Sequence, residues 1–539
     1  MGCADLSQLI AAPRHVDAVI VGAGFAGLYM LYRLRAIGIS AQVFEAASDV
    51  GGVWFWNRYP GARCDVESAE YSYSFSDALQ QEWRWTERFA AQPEILAYLR
   101  HVAERFDLRR DIALETRVVS AVFDETTDRW LVRTDRGDVV SARFCIMASG
   151  SLSVARLPDI PGIADFAGDI HHTGQWPLEG VELAGKRVAV IGTGSSGVQS
   201  IPLIAEAAAE VIVFQRTASF VVPAQNCASD PATVANWAAN YPALRARAKQ
   251  VGTFYELSDR GALDVSAAER DAEYSRRWQA GGVNFVHAYN DIYLDEAAND
   301  TAADFVRARI RAIVADPQIA DRLCPTDYPL GTKRICVGSQ YFETYNRANV
   351  TLIDIRATPI VAVEGRVIRT SEAAFEVDAI VCATGYDALT GALAAIDIRG
   401  RGGVALRDKW VAGPRNYLGL MSADFPNLFI VTGPGSPSVL VNMVIGIEQH
   451  VEWIADCIVH LRTSGASTIE AAADAEDGWV KYVNDEADLT LFPRAASWYA
   501  GANVPGKPRV FLPFVGGIGR YRRICDEVAA AGYSGFEIR

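Results

Sequence analysis

The chain has 539 residues, of which 50% are hydrophobic and 22% charged, with a net charge of −14. That is about three to four domains' worth of chain, with the composition of a globular protein rather than a disordered one. The negative balance argues against a nucleic-acid partner, because phosphate binding needs a positive field, and leaves room only for a local basic pocket.

The opening "MGCADLSQLIAAP" lacks the charged start and apolar core of a signal peptide, and Ser7 stands one place late for a myristoylation motif. No stretch approaches the ~20 uninterrupted apolar residues of a membrane helix. A soluble, cytoplasmic protein with no membrane partner is expected. The nine cysteines stand singly, with no C-x-x-C. Free thiols in a reducing compartment follow, with no metal site and no dithiol–disulfide reductase chemistry.

An apolar run from Val16 to Val21 leads into Gly22, Gly24 and Gly27, then a helix-like stretch and a second strand ending at Glu45. Strand, G-x-G-x-x-G, helix, strand and acid together make a dinucleotide site. The glycines allow the tight turn, the approach of a pyrophosphate and close helix packing, and the helix N-terminus faces the phosphates. Glu45 is expected to accept hydrogen bonds from a ribose with free hydroxyls, as in FAD or NAD. The first part of this domain is read over residues 1–150, closing with the apolar strand in "RFCIMASGSLS".

Next comes "FAGDIHHTGQWP" (166–177), which reads as neither a core strand nor an ordinary loop. A second nucleotide turn follows, with Gly192, Gly194 and Gly197, and with Thr193, Ser195, Ser196 and Gln199 as further cofactor candidates. At the place of Glu45 it has Gln215, followed by Arg216 and Thr217. An acid would repel a 2′-phosphate, whereas a guanidinium binds it with parallel hydrogen bonds, so this site reads as NADPH. Two dinucleotide sites in one chain suit electron transfer between flavin and NADPH.

Residues 151–224 are read as the first part of the NADP domain and 225–329 as a helical insertion. In that insertion Val306, Ile310, Ile313 and Val314 share a face, with Asp316–Pro317 ending the run. Residues 330–388 resume the NADP domain through a strand from Ala379 to Cys382, and 389–539 return to the FAD domain. The fold class is α/β, with two Rossmann-like dinucleotide-binding domains and the insertion.

Phe166, Gly168, His172, Trp176 and Pro177, set between two such turns, form F-x-G-x-x-x-H-x-x-x-W-P. This resembles the signature of type I Baeyer–Villiger monooxygenases. "GGVWFWNRYPGARCDVES", "YPLGTKR", "GPGSPSVLVNM" and "SWYAGANVPGKPRVF" extend the likeness over nearly the whole chain, nearest the phenylacetone and steroid monooxygenase branch. The resemblance implies an FAD enzyme that uses NADPH and O2 to turn aryl, cyclic or steroid-like ketones into esters or lactones. A C4a-peroxide of the reduced flavin would attack the carbonyl. Such chemistry needs a fixed cation at the developing oxyanion and exclusion of water, and no nucleophilic side chain.

By resemblance, Arg334 is that cation, Asp65 its partner, and Lys333 joins Arg216 on the 2′-phosphate. Trp54 and Trp498 would present flat faces to flavin and nicotinamide. Leu152, Val439, Leu440 and Met443 would line the ketone pocket, and His172, in the linker between the domains, would couple cofactor binding to domain position. One departure stands out: after Arg334 the run is "RICVGSQYF", with Gly338 where the family carries aspartate and Phe342 for its second tyrosine. Two other readings remain at this point. One is an N- or S-oxidising flavin monooxygenase, against which Trp176–Pro177 argues. The other is a flavoprotein that oxidises NADPH without oxygenating.

Overall fold

The strand Arg14–Val21 is buried along its last four residues, as an apolar run with no polar face demands, and it lies inside an eight-stranded sheet. It pairs in parallel with Ala41–Phe44 on one side and Val139–Met147 on the other. Beyond Val139–Met147 the sheet turns antiparallel through Arg129–Thr134 and Val118–Asp124, and Leu428–Ile430 pairs with the far end of Val139–Met147. The helix Phe25–Ala36 packs on Met443–Ser464, so a late segment of the chain completes the first unit. A computed structural model describes residues 13–539, and the reading of the N-terminal segment lies outside the described residues.

A second sheet has five parallel strands in the order Val350–Asp354, Glu210–Gln215, Arg187–Ile191, Ala379–Cys382, Asp169–His172. Its middle strands, RVAVI and AIVC, are almost wholly apolar and buried, as strands covered on both faces must be. The small antiparallel sheet of Ile360–Glu364, Val367–Thr370 and Ala374–Glu376 covers one face, sharing a core of Phe166, Ile191, Phe214, Val363 and Ile380. The fold is thus α/β with two Rossmann-like units.

Residues 166–177 are not a free connector. Asp169–His172 forms the edge strand of the second sheet, with His172 in register with Cys382. Two polar-looking histidines hid a strand whose hydrogen bonds run to a partner some two hundred residues away. The helical run expected within 299–317 is Glu296–Ile313, with Ala298, Ala302, Val306 and Ile310 buried. Asp316–Pro317 does not end it. Asp316 caps the next helix, Pro317–Leu323, accepting from the Gln318 and Ile319 amides.

The inserted helices divide between the two units. Pro231–Val251 packs on Asp77–Glu82 and Gly517–Ala530, and its buried Arg245 donates to the Glu70 and Ala69 carbonyls and the Ser72 hydroxyl. Ala267–Ala280, Glu296–Ile313 and Pro317–Leu323 join the second unit's core through Tyr274, Phe305 and Leu323. Among the described residues no helix is long and apolar enough to cross a membrane, and eight cysteines are free.

Candidate active site

At the first turn, a Cβ on Gly27 would run into the Gly22 carbonyl, so only glycine lets the helix start this close to the strand. Glu45 is buried, its two carboxylate oxygens accepting from the Ala23 amide at 2.7 Å and the Ala47 amide at 2.8 Å. Burial raises its pKa, and these amides oppose the rise. The acid is held at the mouth of the turn with lone pairs to spare.

At the second turn, Gly194 and Ser195 are exposed at the start of Ser195–Ala207, and the space where a Gly194 Cβ would sit is open. Thr193 Oγ1 donates to the Thr217 carbonyl at 3.0 Å, tying the turn to the end of the next strand. Ser195 Oγ lies 3.6 Å from Cys336 Sγ, and Thr173 Oγ1 donates to Ser196 Oγ at 3.1 Å. Gln199 faces elsewhere: Tyr59 donates to its Oε1 at 2.8 Å, and its Nε2 donates to the Arg63 carbonyl, so both ends of the amide meet the first unit. Arg216 is exposed, and Lys333 Nζ sits 4.5 Å over the Tyr328 ring. Burial, then the like charges of Arg216 and Arg356, lower the Lys333 pKa.

Asp65 and Arg334, 269 positions apart, form an ion pair. The guanidinium donates in a fork, Nε to Oδ2 at 2.9 Å and Nη2 to Oδ1 at 2.7 Å, and Nη1 donates to the Val439 carbonyl at 3.2 Å. Burial presses the Arg334 pKa down, but the Asp65 carboxylate outweighs it and holds the group above its ordinary value. The cation is permanent at any working pH. Val439, Leu440 and Met443 fall in one apolar cluster with Tyr293, Phe492, Trp498, Tyr499 and Phe511. Leu152 is outside that cluster, in a half-buried loop bridged to residues 385–389. Trp54 is buried and donates to the Tyr71 hydroxyl at 3.1 Å.

In the edge strand, His172 Nδ1 accepts from the Gly174 amide at 2.9 Å, so the neutral ring carries its proton on Nε2, which has no partner. Burial lowers its pKa. Its ring lies 5.9 Å from Tyr386, whose hydroxyl donates to Asn57 of the first unit at 2.7 Å. Trp176 is buried in a core that also holds Tyr59 and Ala62, and Gly168 packs against Phe166 and the Asp378 carbonyl. The motif therefore joins the two units by packing.

Tyr499, beside Arg334, was not anticipated, although it follows Trp498 directly. Burial lifts its hydroxyl to about 12, against the pull of the guanidinium. Tyr386 and Asn57 were also missed, since neither stands in a spacing that signals contact. Gly338 leaves no gap where the family's aspartate is expected. A Cβ there would meet Val198 Cγ1 and Val221 Cγ1, each at 2.9 Å, and Phe342 is buried nearby.

A glycine turn with a buried acid and a second turn with open glycine, no acid and flanking cations fit FAD and NADP(H) respectively. These features define an oxidoreductase that carries two dinucleotides. Residues 19–235 match the family described as pyridine nucleotide-disulphide oxidoreductase. Cys64 and Cys336, nearest the site, are buried single thiols whose pKa burial raises, so the likeness is one of nucleotide fold. A Baeyer–Villiger monooxygenase of Pseudooceanicola batsensis is 44% identical, over 96% of this chain and 95% of the relative. A phenazine N-monooxygenase of Lysobacter antibioticus is 41% identical over 97% of each chain. A solved structure, an oxidized steroid monooxygenase bound to NADP, superposes with a TM-score of 0.93 at 54% identity, over 97% of this chain and 99% of that one. The chain belongs to the Baeyer–Villiger monooxygenase family of flavoenzymes. Its cofactors are FAD and NADP(H).

Proposed function

We propose that this enzyme inserts oxygen from O2 into aryl, cyclic or steroid-like ketones, giving esters or lactones, with Arg334 as the cation at the reacting carbonyl oxygen. The observation that carries this is the fork from Arg334 to Asp65, which fixes a permanent charge at the wall of an apolar, aromatic-rich cluster. Bound FAD supplies the oxygen transfer and NADPH the electrons. Asp65 holds the guanidinium in one orientation, and the bond to the Val439 carbonyl turns it toward Val439, Leu440 and Met443. Negative charge growing on the substrate oxygen meets donors that need no reorganisation. Tyr293, Phe492, Trp498 and Phe511 exclude water from the same space. No side-chain nucleophile is required.

Glu45 takes the ribose of FAD, Trp54 its ring system and Trp498 the nicotinamide. Arg216, Thr217 and Lys333 take the 2′-phosphate, and the exposed start of Ser195–Ala207 takes the pyrophosphate. Gln199, His172 and Trp176 couple the units, and Leu152 lines the approach. Residues 1–150 with 389–539 form the FAD unit, and 151–224 with 330–388 the NADP unit. The unpaired cysteines support a cytoplasmic setting.

The phenazine N-monooxygenase relative supports a second reading, oxidation at nitrogen. Turnover with NADPH, 18O-labelled O2 and a panel of ketones and aromatic N-heterocycles separates the two by mass spectrometry. One labelled oxygen in an ester or lactone is expected. Labelled N-oxide with no ester from any ketone overturns the proposal.

A further inference from the structure

The strand Val350–Asp354 runs parallel to Glu210–Gln215 at the edge of the second sheet, with Asp354 directly opposite Gln215. Continuing that register by two residues brings Arg356 alongside Thr217, and Arg356 Nη2 donates to Thr217 Oγ1 at 3.3 Å. The other arm of the guanidinium pairs with Asp327. Asp327 precedes Tyr328, whose ring lies under Lys333 and whose hydroxyl donates to the Ala218 carbonyl at 3.0 Å. One carboxylate and three cations, Arg216, Lys333 and Arg356, thus gather at the end of the second nucleotide strand.

An exposed arginine–aspartate pair is ordinarily a surface ion pair of little consequence. Two observations set this one apart. Arg356 is also bonded to Thr217, the residue that the turn itself holds through Thr193. And neither Arg216 nor Lys333 has an ion-pair partner among the described residues, so the cluster carries two uncompensated positive charges. A fold gains nothing from that excess unless an anion fills it. A phosphate monoester, with a charge of about −1.5 to −2 at neutral pH, matches it. The lowered pKa of Lys333, caused first by burial and then by Arg216 and Arg356, reports the same crowding.

We infer that Arg356 is a third cation of the 2′-phosphate site and a determinant of the preference for NADPH over NADH. This rests on the reading of Arg216, Thr217 and Lys333 as that site. Thr217 and Asp327 aim the guanidinium. Its planar fork offers two parallel donors to the phosphate oxygens, where Lys333 offers a point charge.

The test is titration calorimetry of the FAD-loaded enzyme with NADP+ and with NAD+, on the parent and the variants Arg356→Gln, Arg356→Lys, Arg216→Gln and Lys333→Gln. Arg356→Gln is expected to raise the Kd for NADP+ about ten-fold and that for NAD+ less than two-fold. Arg356→Lys should recover part of the loss. Equal weakening of both ligands would make Arg356 a structural residue and overturn the inference, as would no change in either. The supporting site is judged separately. If Arg216→Gln and Lys333→Gln erode the NADP+ preference while Arg356→Gln does not, the site stands and only Arg356 is excluded. If neither erodes it, the reading of the site itself falls.

Discussion

Replacing Arg334 by alanine removes the charge on which the proposed chemistry depends. Of the five N–H donors on a guanidinium, three are engaged: two by the Asp65 carboxylate and one by the Val439 carbonyl. Two are left for the substrate oxygen. A hydrogen bond to a charged group contributes about 1.5–3 kcal/mol, so two aimed at a developing oxyanion account for roughly 3 kcal/mol or more. That corresponds to a loss of about 10²–10³-fold in kcat for ester formation, the scale seen when oxyanion donors are removed. Asp65 is left with its side chain about one quarter exposed, so the orphaned carboxylate can be solvated and the fold survives. The assay is ester or lactone yield per NADPH consumed, with flavin absorbance and the Kd for NADP+ recorded on the same sample. Arg334→Lys should recover part of the activity, since it keeps the charge and loses the fork. Ester formation within three-fold of the parent, in an Arg334→Ala enzyme that retains FAD and binds NADP+, refutes the assignment.

Gly338→Ala forces a Cβ against Val198 and Val221, each 2.9 Å away. It should destabilise by about 1–3 kcal/mol, read as a lower urea midpoint, and an unchanged midpoint would mean the strand yields freely. Trp176→Ala empties a buried site between the units and should cost about 3–5 kcal/mol in the same measurement. Glu70 has its pKa raised to about 7, first by burial and further by Glu67, while the Phe254 amide, Thr253 and Asn442 oppose the rise. Its ordinary value is 4.5, so across that window the folded chain holds a proton that the unfolded chain has released. Its contribution to stability therefore falls as pH rises. Thermal melts from pH 5 to 8 should show Glu70→Gln gaining on the parent as pH rises, and a constant gap would show that Glu70 does not titrate there.

The two nucleotide turns were legible because a tight turn, a helix start and an acid at fixed spacing are local demands on the backbone. The contrast between Glu45 and Gln215–Arg216 is local in the same way, and it is the ground on which FAD is assigned to the first turn and NADPH to the second. The apolar run Ala379–Cys382 read as a strand for the same reason, and the structure shows it buried between parallel neighbours. The pairing of Asp65 with Arg334 was reachable only through a family resemblance, since nothing in either neighbourhood specifies a partner 269 positions away.

What the tertiary structure alone decided depends on register and on which faces pack. Asp169–His172 is a strand because Ala379–Cys382 offers it a ladder, not because of its own residues. Arg356 reaches Thr217 because two strands distant in the chain align at Asp354 and Gln215. Gly338 is glycine because two valines occupy the space a side chain would need. Local sequence specifies backbone shape, whereas these juxtapositions are set by hydrogen-bond alignment and close packing between segments that share no local signal.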